Sequence, residues 1–273
     1  MEEYIGTSYL YNDEAVTIKE FDVTNVLMEN SIYEVFRVMN GVPLFIEQHF
    51  KRLKKSFELI DEKINFSLRK LKSMVKKLCD ENNIFFGNVK LVCNIAGEKK
   101  FFLYFIKTNY PSRELYEQGV KTCSFNLERD NPNAKLVKGN YKKLVQETKI
   151  EKNVFELILV DNHGFITEGS ISNTFMIKDN KVITALNEKV LKGITRDYVF
   201  EICRENNIEI IEMNFHISEI EQLNAMFITG TSPKILPIQS LDYKKYSTTD
   251  KILRLIMNEY DKKINEYIKN YTI

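Results

Sequence analysis

The hydrophobic positions of this chain fall first into short runs suited to strands, then into stretches where they recur every three or four residues. Thr7–Tyr11 and Ser31–Asn40 are runs of the first kind, and Asn40-Gly41 ends the second with a strong hairpin signal, which makes Val42–Ile46 the expected return strand. From Ile46 the rhythm changes. Ile46, Phe50, Leu53, Phe57 and Ile60 line one stripe of a predicted helix, and Leu68, Leu71, Val75 and Leu78 line a second. Asn88–Ile95 and Phe101–Thr108 read as strands joined near Gly97. Helices layered on an antiparallel sheet are the expectation for a small α+β domain over residues 1–110.

Pro111, in Tyr110-Pro-Ser-Arg, breaks the last of these strands, so 111–125 is expected to be an interdomain linker and 126–273 a larger domain. In the larger domain Leu157–Val160 and Phe165–Thr167 flank the turn Asn162-His-Gly, and Thr174–Lys178 and Lys181–Thr184 flank Asp179-Asn180. A helix over Gly193–Asn207, strands over Ile208–Met213 and Ala225–Thr229, and a final helix from Thr249 to Tyr267 complete the prediction. The expected class is mixed α+β in two domains.

Composition narrows the function. The 273 residues are 44% hydrophobic and 28% charged, as in ordinary globular proteins, and 39 basic against 38 acidic residues leave a net charge of +1. That balance gives no reason to expect a nucleic-acid partner. Lysine clusters such as Lys51-Arg52-Leu53-Lys54-Lys55 read as solvated helix faces. The four cysteines are scattered without a CxxC pair, so no metal site and no disulfide framework is expected. No apolar run nears the roughly 20 residues of a membrane span. Met-Glu-Glu-Tyr lacks the basic and apolar segments of a leader, and a cytoplasmic protein is the expectation.

Several short runs carry candidate chemistry. They are Tyr33-Glu-Val-Phe-Arg-Val-Met-Asn-Gly41, His49-Phe-Lys-Arg52-Leu, Asp161…Gly164…Thr167-Glu168-Gly-Ser…Asn173-Thr-Phe175, Leu191-Lys-Gly-Ile-Thr-Arg196 and Thr229-Gly-Thr231. In this order, over about four-fifths of the chain, they resemble class IV (fold-type IV) pyridoxal-phosphate enzymes. That group holds branched-chain aminotransferases, D-amino acid aminotransferases and 4-amino-4-deoxychorismate lyases.

The resemblance implies a cofactor, pyridoxal 5′-phosphate, and a role for each matching residue. Arg52 grips the phosphate through paired hydrogen bonds. Ile194 and Thr195, just after Gly193, offer the N-terminus of a helix to the same phosphate, and Thr231 adds a hydroxyl. Glu168 holds the pyridine nitrogen protonated, which makes the ring an electron sink. Tyr141 contacts the phenolic oxygen. Tyr33, and the backbone amides of Thr231 and Ser232, face the substrate. A lysine forms the internal aldimine and then moves the proton at the substrate carbon. Lys135 and Lys138 both compete for that role. Lys135 lies 33 residues before Glu168 and Lys138 lies 30, and the family's larger spacing favours Lys135. His49, His163 and His216 are read as structural residues.

Two departures bear on the substrate. Asn30-Ser31-Ile32 replaces the family's Gly-Asp, and no Arg-x-His pair follows the strand at Asn88–Asn94, which argues against a D-amino acid. Lys90 on that strand is expected to face water at an edge. The expected activity is amino-group transfer from an amino acid, branched-chain-like, to a 2-oxo acid. The lyase that releases pyruvate from aminodeoxychorismate, and a non-catalytic relative, stay open. By family resemblance the protein is expected to be a homodimer with small-molecule substrates.

Overall fold

In the computed structural model, residues 4–28, 31–95, 99–128 and 139–273 are described. They form two compact units. The first holds the described residues up to Asn109 together with Gly139 and Ile264–Ile273, and the second holds those from Tyr110 to Glu128 and from Asn140 to Lys263.

The first unit contains β1 (Tyr4–Tyr11), β2 (Glu14–Thr17), α1 (Val23–Val26), β3 (Ile32–Met39), β4 (Val42–Pro43), α2 (Ile46–Glu58), α3 (Leu68–Asn82), β5 (Phe86–Asn94) and β6 (Lys100–Ile106). The strands make a six-stranded sheet in the order β2-β1-β6-β5-β3-β4. Asn40 and Gly41 both take positive φ, 53° and 76°, as the hairpin signal requires. The return strand is shorter than expected, only two residues. Phe45 turns left-handed at φ 54°, and the helix begins directly after it. The apolar stripes of both helices pack on one sheet face, where Ile46, Phe50, Leu53, Phe57, Leu71, Val75 and Leu78 meet Phe36, Val38, Val89, Leu91 and Leu103. Each such side chain contributes about 1.5–3 kcal/mol by leaving water.

The second unit contains α4 (Arg113–Gln118), β7 (Val120–Asn126), α5 (Gly139–Lys152) from Asn140 on, β8 (Glu156–Val160), β9 (Phe165–Gly169), β10 (Asn173–Lys178), β11 (Lys181–Thr184), α6 (Ile194–Glu205), β12 (Ile210–Glu212), β13 (Phe215–His216), β14 (Ala225–Gly230), β15 (Lys234–Leu241), β16 (Lys244–Lys245) and α7 (Lys251–Asn270) as far as Lys263. Nine of its strands run β12-β11-β10-β14-β15-β7-β8-β9-β13, with β16 beside β15 and β10 also touching β9. Residues 111–125, expected to be a linker, instead hold α4 and most of β7. That strand lies parallel between β15 and β8, where its backbone groups are paired on both sides.

Asp179 and Asn180, at φ 51° and 61°, make the tight turn between β10 and β11. The cysteines pack as small apolar residues: Cys79, Cys93 and Cys203 are buried and all four are free thiols. Burial pushes the Cys79 and Cys203 thiols up to about 11 and about 12, which keeps them protonated and unreactive at neutral pH. Among the described residues no helix is long and apolar enough to cross a membrane, and no group of three metal-ligating side chains occurs.

Candidate active site

In the second unit the ends of three inner strands gather most of the residues singled out in the sequence. β9 delivers Glu168 near its end, with 2% of its surface exposed. The chain turns at Gly169–Ser172 and returns as β10, whose first residue, Asn173, lies opposite Glu168 in the ladder. Glu168 Oε2 accepts hydrogen bonds from the Leu191 N–H at 3.0 Å and from Asn173 Nδ2 at 3.3 Å. Asn173 Nδ2 also donates to the Leu191 carbonyl at 2.8 Å, so one amide ties the carboxylate to the segment leading into α6. A Cβ on Gly193 would lie 2.1 Å from Asn173 Oδ1, and only glycine permits this approach.

Asn173 pairs on its other side with Thr229, which brings the end of β14 and the turn Thr231-Ser232-Pro233 to the same end of the strands. Here α6 starts. Its N-cap, Gly193, makes no side-chain cap, so the first N–H groups of α6 and the positive end of its dipole receive no acceptor from that residue. Thr195 is buried, with its hydroxyl 3.2 Å from that of Tyr260. Tyr141, near the start of α5, donates its hydroxyl to the Ser170 carbonyl at 2.7 Å. Both lysine candidates, Lys135 and Lys138, lie outside the described residues.

Sequence reasoning passed over three side chains here. Asn173 stood in a motif without a role, although an Asn beside a strand-end Glu is a readable signal. Glu156, 1% exposed, gave no signal beyond a carboxylate opening an apolar strand. Arg196 was only the end of a run. It is 1% exposed, donates to the Ala185 carbonyl at 2.8 Å and lies with its guanidinium carbon 4.7 Å from the Phe200 ring centre. Burial lowers its pKa, and the carboxylates of Glu212, Asp197 and Glu168 oppose that shift.

The first unit holds Arg52, Tyr33 and Lys90. Arg52 on α2 forms a two-point pair with Glu34 of β3, Nε to Oε1 at 2.8 Å and Nη2 to Oε2 at 2.7 Å. His49, one turn earlier, places Nδ1 2.9 Å from the same Oε2. Glu34 is 1% exposed, and a buried carboxylate of this kind is retained only when paired. The pair locks the guanidinium plane. On the opposite face of the sheet Lys90 corrects the expectation of a water-facing edge residue. β5 is an inner strand between β3 and β6, Lys90 is 5% exposed, and its ammonium lies 4.8 Å from the centre of the Tyr33 ring.

A buried carboxylate held by neutral amides suits a basic ring nitrogen, and a helix start with a glycine N-cap beside two threonines suits a phosphate. The residues of the second unit therefore fit a ligand that carries both groups. The fold agrees with that class. The structure of the Escherichia coli branched-chain amino acid aminotransferase superposes with a TM-score of 0.84, covering 95% of each chain at 21% identity, so the fold is that of fold-type IV enzymes.

The chain belongs to the amino-transferase class IV family, whose model matches residues 31–241. It is an enzyme of that family, an aminotransferase or a related lyase, and the family works with pyridoxal phosphate. A D-alanine aminotransferase of Bacillus licheniformis is 29% identical over 78% of this chain and 79% of its own length. A probable branched-chain-amino-acid aminotransferase of Thermotoga maritima is 26% identical over 82% and 81%. Relatives of both kinds are thus similar to nearly the same degree.

Proposed function

We propose that the protein binds pyridoxal 5′-phosphate and moves the amino group of an aliphatic, branched-chain-like amino acid to a 2-oxo acid. The observation that carries this reading is the buried Glu168 carboxylate, held by Leu191 and Asn173 at the strand ends where α6 begins. The bound cofactor supplies an electron sink for the bond broken at the substrate carbon. Glu168 holds a proton on the ring nitrogen. Ile194 and Thr195 at the start of α6 and Thr231 hold the phosphate, and Tyr141 orients the ring's phenolic oxygen; the family resemblance gives Arg52 a phosphate-binding role as well. Lys135 carries the cofactor and then moves the proton at the substrate carbon. The backbone amides of Thr231 and Ser232 receive the substrate carboxylate.

Support for the substrate class comes from the sequence: no Arg-x-His pair follows the strand at Asn88–Asn94, which argues against a D-amino acid. Pyridoxal phosphate-loaded protein is expected to lose its visible absorption with leucine, isoleucine or valine and regain it with 2-oxoglutarate. D-alanine should leave the band unchanged. Conversion by D-alanine alone would replace this substrate class, and pyruvate release from aminodeoxychorismate without any conversion would replace transamination by the lyase reaction.

The proposed assembly is a homodimer in the cytoplasm. Ile150 and Ile171 leave 72% and 74% of their surfaces exposed on the second unit, apolar area that a second copy would cover. Light scattering should give about twice the 32.1 kDa of one chain. A single-chain mass at micromolar concentration would sink the dimer.

A further inference from the structure

Glu156 opens β8, a strand whose other residues, Leu157, Ile158, Leu159 and Val160, are all buried and apolar. A valine or isoleucine would serve that strand at least as well, because a carboxylate loses its hydration on burial unless donors surround it. Donors do surround it. Oε1 accepts from the Leu157 N–H at 2.9 Å and from the Ser170 hydroxyl, and Lys149 Nζ stands 3.9 Å away. Oε2 accepts from the Ser172 hydroxyl at 2.9 Å and the Ile171 N–H at 3.4 Å. Three of these donors belong to one turn, Gly169–Ser172, the link between Glu168 and Asn173.

We propose that Glu156 is a positioning residue for cofactor binding: it clamps the Gly169–Ser172 turn and so sets the place of the Glu168 carboxylate and its Asn173 partner. This inference rests on the reading of Glu168 as the partner of the ring nitrogen. The turn closes on itself through Gly169 N–H to the Ser172 carbonyl at 2.8 Å, and is tied to β8 through Ser170 N–H to the Leu157 carbonyl at 2.9 Å. It is packed so tightly that a Cβ on Gly169 would lie 2.0 Å from Ser172 Oγ. Its Ser170 carbonyl also receives the Tyr141 hydroxyl, so the clamp orients two proposed cofactor contacts at once. Loosening the turn lets Asn173 shift, and Glu168 then loses a donor that keeps it aimed.

The test is Glu156→Gln in the full chain, with Ser172→Ala as a milder second variant. A carboxamide fits the space but must turn its NH2 toward a backbone N–H, of Leu157 or of Ile171, which can only donate. The dissociation constant for pyridoxal phosphate is expected to rise about tenfold in Glu156→Gln and about threefold in Ser172→Ala. The pH midpoint of the cofactor's visible band should move in the same order. Amide hydrogen exchange of residues 168–173 should quicken in the cofactor-free protein. A lowered melting temperature with unchanged dissociation constant, band midpoint and exchange would overturn the positioning role and leave Glu156 a stability residue. Parent protein that takes up no pyridoxal phosphate would sink the cofactor reading, and this role with it.

Discussion

Lys135→Ala is expected to lower transamination by about a thousandfold or more, because it removes both the covalent attachment of the cofactor and the base at the substrate carbon. Lys138→Ala, three residues on, should cost less than about tenfold, the loss of a neighbouring charge rather than of the reacting amine. The contrast matters because the two lysines share one run of sequence and a spacing argument separates them by only three positions. Two measurements check it. One is kcat/KM with an aliphatic amino acid. The other is borohydride reduction of the loaded protein followed by peptide mapping, which marks the attached lysine. Reduced cofactor on Lys138, with Lys135→Ala still active, would transfer the role to Lys138.

Glu168→Gln carries the second large effect. The glutamine keeps the volume and replaces charge with a dipole in a site where Oε2 already serves the Leu191 N–H and Asn173 Nδ2. The amide must therefore present its oxygen to those donors, which leaves its NH2 where a ring nitrogen needs a negative partner. A neutral ring is a poorer electron sink, and kcat is expected to fall about a hundredfold to ten thousandfold. Phosphate contacts are untouched, so cofactor affinity should weaken by less than about tenfold. The visible band should lose its protonated-ring form at a lower pH than in the parent protein. A kcat within about threefold of the parent would remove Glu168 from the ring nitrogen, since one pKa unit alone is worth about 1.4 kcal/mol.

Much of the fold could be read locally. The helix over Ile46–Glu58 and the turns at Asn40-Gly41 and Asp179-Asn180 follow from spacings and residue types within a few positions. Other elements were hidden for identifiable reasons. The α5 helix shows no apolar stripe: Val145 and Thr148 are buried, while Leu144 and Ile150 face outward. Within β15, Pro237 reads as a break, yet Ile235, Leu236 and Ile238 are buried and the strand pairs on both sides. Lys90 looked like an edge residue because nothing near it in sequence says that β3 and β6 will flank its strand.

The site divides along the same line. Glu168, Asn173, Gly193, Thr195 and Thr231 stand in recognisable runs; the sheet register joins the strand ends at Glu168, Asn173 and Thr229, and Gly193 packs against Asn173 there. The sequence by itself determined the order of these runs, the family they resemble and the helices that periodicity marks. Only the tertiary structure decided that Glu34 would hold Arg52 and His49, that Glu156 would hold the turn beside Glu168, and that Lys90 would lie over Tyr33. The reason is physical. A helical stripe or a turn is encoded by neighbours, whereas a buried charge is defined by partners the chain brings from elsewhere, and its cost is met only once they arrive.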